Sequence, residues 1–262
     1  MAAYRASWAA KRVFSLSYFD SIRRVVADPL AFYLALALKI IPNLHTRPMR
    51  LRLTDDKVLE IGDFWSLFIF DEIFIQRDYE PPLVAQRRDV KTIIDVGANV
   101  GLFTLRAKQI WPDARVLAFE PDPTNFARLE RHVALNRLAD VAVFNEGLSD
   151  QCGSFELFLS PRNIGGHSMY RRTERSVSIE TRTLAEALNL LGADVTCDLL
   201  KIDCEGCERA IIASLTAEVA ARISCIVIEP ERDLHDVGEL IGVLERHGFA
   251  VHDDSHLVIA TR

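Results

Sequence analysis

The stretch from Thr92 to Gly101, TIIDVGANVG, constrains this chain more than any other: an apolar run halts at Asp95, and Gly97 and Gly101 follow. A strand of Ile and Val, a tight glycine turn and the amphipathic run from Leu102 to Ile110 make a strand, a turn and a helix. That is the opening βα unit of a doubly wound sheet. Its turn lies at the carboxyl end of the strand, where open α/β sheets bind ligands, and glycines let a ligand approach the backbone closely.

With 262 residues and 49% hydrophobic content, the chain can form one large α/β domain plus an appendage. Residues 4–41 read as helical, with Val13, Leu16, Phe19, Ile22, Val25 and Val26 spaced for one apolar face and Pro42 at the end. Residues 50–53 and 58–61 flank Thr54-Asp55-Asp56-Lys57 and predict a β-hairpin. Residues 64–75 are rich in aromatics and are expected to pack on the main domain, a share of them lining a substrate pocket. Pro81-Pro82 marks the boundary. Residues 1–82 are thus an N-terminal helical and hairpin extension, and residues 83–262 the main domain.

Beyond that boundary, strand patterns at 92–95, 115–120, 141–145, 199–203 and 225–229 alternate with helical ones at 101–110, 124–136, 184–191, 208–219 and 234–247. Residues 154–159 and 177–181 are strand-like on either side of a Gly/Ser/Arg-rich loop, 161–175. Residues 249–252 and 257–261 predict a closing antiparallel hairpin. Strands alternating with helices give a largely parallel sheet of the α/β class.

The net charge of −6 gives no reason to expect nucleic acid as a partner. It is unevenly spread. Residues 1–60 carry ten Lys/Arg against five Asp/Glu, leaving 21 against 32 in the rest. A basic leader on an acidic body is either a solvated surface or a peripheral contact for an anionic membrane face or a partner. Its most apolar segment, 30–41, is far short of the roughly 20 residues a spanning helix needs, and it lies too far from Met1 for a signal peptide. The helical leader is also where a homodimer contact is expected. Five cysteines without framework spacing fit a reducing cytoplasm.

Each of the five parallel strands ends in a polar residue: Asp95, Glu120, Asn145, Asp203 and Glu229. In a doubly wound sheet these ends face one crevice. Glu120 comes 19 residues after Gly101, where an acid accepts hydrogen bonds from both hydroxyls of a ribose. NAD and S-adenosylmethionine are the contenders. A dinucleotide turn reads GxGxxG; here Asn99 fills the place of the middle glycine, which favours a ligand without pyrophosphate.

Together, DVGANVG at 95–101, AFEPDPTNF at 118–126, LKIDCEGCE at 200–208 and VIEP at 227–230 resemble the FkbM family of S-adenosylmethionine-dependent methyltransferases. The resemblance covers about residues 90–230. It implies a class I, Rossmann-like methyltransferase sheet of seven strands and O-methylation of a hydroxyl on a sugar, glycan or secondary metabolite. The acceptor does not transfer with the fold. By the same resemblance, Asp95, Gly97, Asn99 and Gly101 hold the methionine end and ribose side of the cofactor. Glu120 grips the ribose hydroxyls, Pro121 and Asp122 shape the next turn, and Asn145, Gly147, Ser149 and Asp150 enclose the adenine. Asp203 and Glu205 lie near the sulfonium and the acceptor.

An alcohol acceptor must lose its proton, so a general base is required. The candidates are Asp203, Glu205 and His167, with His235 behind them; the plain alternative for Asp203 is a helix N-cap. His167 lies in Gly165-Gly166-His167-Ser168, within the irregular loop. Arg162, Arg171, Arg172 and Arg175 of that loop either clamp an anionic acceptor or are solvated. Cys204 and Cys207 form a CxxC that reads as a redox pair or half a zinc site, against which stands the want of a second pair. A divalent metal on Asp203, Glu229 and His235 is conceivable in chemistry and is not predicted. The alternative to a methyltransferase is an NAD-binding Rossmann enzyme or a non-catalytic binding module of the same shape.

Overall fold

The computed structural model describes residues 13, 15–41, 47–161, 165–254 and 256–262. It divides into two compact units, Met1–Asp78 with Ala134–Asn136, and Tyr79–Val133 with Arg137–Arg262.

In the first unit, helix α1 (Leu16–Val25) and helix α2 (Pro29–Lys39) replace the single helix expected over 4–41. The part of that expectation over 4–12 and at Pro42 lies outside the described residues. The break has a local cause. Asp28 caps α2 through Leu30 N–H and Pro29 takes its first position, while Val26 leaves the helix to bridge Leu53. Strands β1 (Met49–Arg52) and β2 (Val58–Ile61) form the expected hairpin, with Leu51 opposite Leu59. Helix α3 (Phe64–Phe70) runs into a π-helical turn, Asp71–Gln76. The rings of this segment pack inside their own unit: Phe70 stacks on Phe74 and meets Phe32, and buried Asp71 accepts from Tyr18 Oη at 2.7 Å and Gln76 Nε2 at 2.8 Å. Within this unit the aromatic segment thus joins the core through Phe32 of α2.

The second unit opens with a short helix, α4 (Pro82–Ala85), and then builds the sheet. Its strands are β3 (Thr92–Val96), β4 (Arg115–Phe119), β5 (Val141–Phe144), β9 (Leu199–Ile202), β10 (Cys225–Ile228), β11 (Ala250–Asp253) and β12 (Val258–Thr261). They lie in the order β11-β12-β10-β9-β3-β4-β5, parallel from β10 to β5, with β12 antiparallel to both neighbours. This is the class I methyltransferase sheet of seven strands. The connections are helices α5 (Leu102–Ile110), α6 (Pro123–Leu135), α7 (Leu184–Leu191), α8 (Glu208–Ala213), α9 (Ala217–Ala221) and α10 (Val237–Arg246). One face of the sheet buries Ile94, Leu117, Leu200 and Ile226 with Leu188 of α7, Ile212 of α8 and Leu244 of α10; on the other, Ala118 meets Leu129 of α6.

Three boundaries differ from expectation. The helix read over 208–219 is two, because Ser214 Oγ bonds Ile211 O and Thr216 caps a new helix through Val219 N–H. The last helix starts at Val237 rather than 234, where Asp236 caps it. Residues Gly147–Ser149, to which the sequence pattern assigns no strand, form strand β6, which lies parallel to β8 (Ser176–Thr183); β7 (Gly153–Phe158) completes a small second sheet.

The chain order turns back at β3: β4 and β5 are added on one side, β9 and β10 on the other. The crevice at this reversal is where doubly wound sheets take ligands, and it places the end of β3 beside the end of β9.

Candidate active site

At the reversal two backbones touch. Gly97 has φ +75°, and a Cβ there would lie 1.7 Å from the Asp203 carbonyl oxygen, so only glycine lets the first turn close against the loop after β9. Asn99 also takes a left-handed conformation, φ 52°, which asparagine tolerates better than most side chains. Its own Oδ1 accepts from Val100 N–H, and buried His132 of α6 donates from Nδ1 to the Val100 carbonyl. The turn is thus fixed from within and from behind.

Glu120, 6% exposed at the end of β4, closes this half of the site. Oε2 accepts from Asn99 N–H at 2.8 Å and Oε1 from Asp122 N–H at 2.9 Å. Each oxygen keeps a second acceptor position. Burial pushes the carboxyl up to about 8, against the two N–H bonds that favour its charge. Asp122 caps α6 through Asn125 N–H. Asn145 donates to the carbonyls of Glu120 and Pro121, Gly147 and Ser149 lie in β6, and Ser149 Oγ donates to exposed Asp150.

The other half is built from side chains. In register, Asp95 of β3 faces Lys201 of β9. The Lys201 ammonium, 3% exposed, stands 3.3 Å from Asp95 Oδ1 and 3.2 Å from Asp203 Oδ2, and donates to the Gly97 carbonyl at 2.8 Å. Thr104 Oγ1 donates to Asp95 Oδ2. Burial alone would lower the lysine, but the charges of Asp203 and Asp95 outweigh it and carry Lys201 to about 12. Tyr79 Oη reaches Asp203 Oδ2 at 2.8 Å and Glu229 Oε2 at 2.5 Å. Burial, joined by the same two carboxylates, raises this phenol well above its usual range, and burial with the Asp203 charge brings Glu229 to about 7. The five strand ends therefore form one polar band, from Asn145 through Glu120, Asp95 and Asp203 to Glu229.

Asp203 does not cap a helix. Helix α8 begins at Glu208, after Cys207, and it is Glu208 that organises the loop: buried Oε1 accepts from Cys204 N–H and Gly206 N–H. Among the described residues the Asp203 carboxylate is held through Oδ2, its side chain is 31% exposed, and Oδ1 has no protein partner. Glu205, with φ 56°, is pushed up to about 9 by burial and by the charges of Asp203 and Glu231. Cys204 and Cys207 are joined as a disulfide, a bonded form of the CxxC that leaves no thiol pair for zinc. Among the described residues no group of His, Cys, Asp and Glu is arranged to hold a metal.

Residues 165–171 run along this band. His167 feels the charge of Asp122, Ser168 donates to the Glu205 carbonyl at 2.5 Å, and Tyr170 meets His235 edge-on. His235 Nε2 in turn bonds the Gly206 carbonyl. Arg171 is paired with Glu231 and Asp233, so it is neutralised by its own chain rather than held out as an anion clamp; Arg162 lies outside the described residues, and Arg172 and Arg175 are exposed. Burial lowers His167, and Nδ1 accepts from Ser160 N–H. A neutral ring bonded this way carries its proton on Nε2.

Sequence reasoning missed Tyr79, Thr104, His132, Lys201 and Glu208. Lys201 left a signal, being the only charge in the apolar strand LLKI. Tyr79, 124 residues from Asp203, left none.

Residues 95–251 match the methyltransferase FkbM domain family. Methyltransferase 1 of Beauveria bassiana is 28% identical over 225 residues, spanning 77% of this chain and 89% of that protein. The 31-O-demethyl-FK506 methyltransferase FkbM of Streptomyces tacrolimicus is 29% identical over 218 residues, 70% of this chain and 82% of that one. A solved methyltransferase FkbM from Methylobacillus flagellatus superposes with a TM-score of 0.47 at 16% identity, over 99% of this chain and 62% of the other. With more than half of its length matched to one family, the chain belongs to the FkbM methyltransferases.

Proposed function

We propose that the protein transfers a methyl group from S-adenosylmethionine to a hydroxyl of a sugar, glycan or secondary metabolite. The observation that carries the proposal is the asymmetry of Asp203: Oδ2 is anchored by Lys201 and Tyr79, while Oδ1 remains open beside the glycine turn. When bound, S-adenosylmethionine supplies a methyl already activated by a sulfonium charge. The protein's own tasks are then alignment and removal of the acceptor proton.

The donor set fits that cofactor. Glu120 has an acceptor position left on each oxygen for a ribose diol, and hydroxyl donors there would stabilise the charge that burial disfavours. Asp95, Gly97, Asn99 and Gly101 would bound the methionine and ribose side, with Pro121 and Asp122 at the following turn. Asn145, Gly147, Ser149 and Asp150 would take the adenine side.

Asp203 takes the acceptor proton at Oδ1. Glu205, protonated at neutral pH by its raised pKa, and His167, with its proton on Nε2, act as hydrogen-bond donors that orient the acceptor. Oxygen as the accepting atom is supported by the name of the Streptomyces relative, a 31-O-demethyl-FK506 methyltransferase.

Thermal shift with S-adenosylhomocysteine against NAD tests the cofactor. Saturation at 100 times Kd adds about 2.7 kcal/mol of stability, and stabilisation by NAD alone would sink the proposal. For the reaction, labelled methyl donor is incubated with glycan, lipid and small-metabolite fractions. A base-stable methyl ether is expected. Label in base-labile esters would move the chemistry to a carboxyl acceptor, and binding without any label transfer would leave a binding module.

A further inference from the structure

Eight large apolar residues are exposed among the described residues, and five of them sit on one short stretch of the first unit: Leu16, Phe19, Leu30, Leu34 and Ile41. On α2 the spacing is regular. Leu30, Leu34 and Ala37 share one helical face, with exposed Ile41 just past the helix end, while Phe32, Ala35, Leu36 and Lys39 are buried on the other. On α1, Leu16 and Phe19 share the outer face with Arg23, opposite buried Tyr18 and Ile22. Phe19 stacks on Tyr33 at 6.1 Å and joins the two faces into one surface. Lone exposed leucines need no explanation, but a contiguous stripe of this kind marks an interaction site.

The charges choose the occupant. From Pro29 to Leu38 there is no charged side chain, and the two acids nearby are engaged: Asp20 pairs with Arg23 at 2.7 Å, and Asp28 caps α2. Exposed Arg24 and Arg47 belong to the same unit and have no acidic partner among the described residues, whereas Arg50 pairs with Glu60 and Arg52 with Asp56; residues 1–60 hold ten basic side chains against five acidic. Two such faces repel each other, whereas anionic lipid headgroups attract one. No helix among the described residues is long and apolar enough to cross a membrane; α2, at 11 residues, is roughly 16 Å long. We propose that the α1–α2 face lies in the plane of an anionic membrane surface, its leucines in the acyl boundary and its arginines at the headgroups. This reading is independent of the methyl-transfer assignment.

The test is co-sedimentation of the full chain with vesicles of phosphatidylcholine alone, or with about 30% phosphatidylserine. Binding to the anionic vesicles is expected, weakened several-fold by raising salt to about 0.5 M. Leu30→Glu with Leu34→Glu should reduce it at least about tenfold, with S-adenosylhomocysteine affinity and thermal midpoint kept as controls of folding. Should that variant fail to fold, Arg23→Glu with Arg24→Glu keeps the stripe intact and should cost about tenfold or more on anionic vesicles alone. Three results overturn the proposal: no binding to either vesicle, equal binding to both, or a concentration-dependent dimer in vesicle-free solution that the leucine variants dissolve.

Discussion

Around Glu120 the polar groups come from nearby backbone: the N–H of Asn99 and the N–H of Asp122 hold the carboxylate, and the turn they belong to is closed by glycine. Around Asp203 they come from side chains far along the chain. Tyr79 arrives from before the sheet, Glu229 from the end of β10, and Lys201 ties Asp203 to Asp95 across two strands. The first construction fixes a shape that accepts a ligand. The second buries one cation among several carboxylates, whose desolvation is repaid only while every partner stays in place. The two halves meet where Gly97 touches Asp203, so changes in one can be asked whether they spread into the other.

The largest effect is expected at that contact. Gly97→Ala puts a Cβ into the Asp203 carbonyl and should cost roughly 5 kcal/mol in denaturant unfolding, disabling both halves. A loss below about 1 kcal/mol would mean that the two loops are not packed as described. Next, Lys201→Met leaves Asp95 and Asp203 buried without their cation, and a loss of about 3 to 5 kcal/mol is expected. Tyr79→Phe removes one donor shared by two carboxylates. Its cost should be about 1 to 3 kcal/mol, with cofactor affinity unchanged; a fall in affinity would show that the halves are coupled through Tyr79.

Much of this second unit was legible beforehand, for reasons that differ between the halves. TIIDVGANVG announces its strand, turn and helix locally, and Glu120 follows at fixed spacing, because backbone-built sites are written in consecutive residues. Helix α7 was readable to its ends, since Thr183 and Glu186 form a capping box around a clean apolar face. The broken helices were not. Thr216 and Asp28 cap new starts with single side chains inside patterns that remain periodic. The acceptor half was legible only as KIDCEGCE, because what surrounds Asp203 depends on strand register and on Tyr79, neither of which leaves a local trace. The aromatics of 64–75 mark another limit: periodicity says that a face is buried, not what buries it.

The last comparison is in pH. Glu120 at about 8, Glu205 at about 9, and Glu208 and Glu229 at about 7 all lie above the ordinary 4.5. A carboxyl raised in the folded state binds its proton more tightly there than in the unfolded chain. Its stabilising contribution is therefore full below about pH 4.5 and is lost as pH rises toward the folded value. The thermal midpoint of the free protein should fall between pH 5 and pH 8 from these groups. Three of the four belong to the acceptor half, so Glu208→Gln with Glu229→Gln should flatten the decline more than Glu120→Gln does.

The division of labour itself is tested most directly by calorimetric titration of S-adenosylhomocysteine into Glu120→Ala and Asp203→Asn side by side, followed by transfer from labelled methyl donor to the fraction that contains the acceptor. Glu120→Ala should lose roughly 10- to 100-fold in affinity, the worth of hydrogen bonds to a charged group. Asp203→Asn should bind within about threefold of the unaltered chain while transfer falls by about 100-fold or more. Unchanged affinity in Glu120→Ala, or a loss of binding in Asp203→Asn that matches its loss of transfer, would contradict the assignment of cofactor to the glycine turn and of proton removal to Asp203.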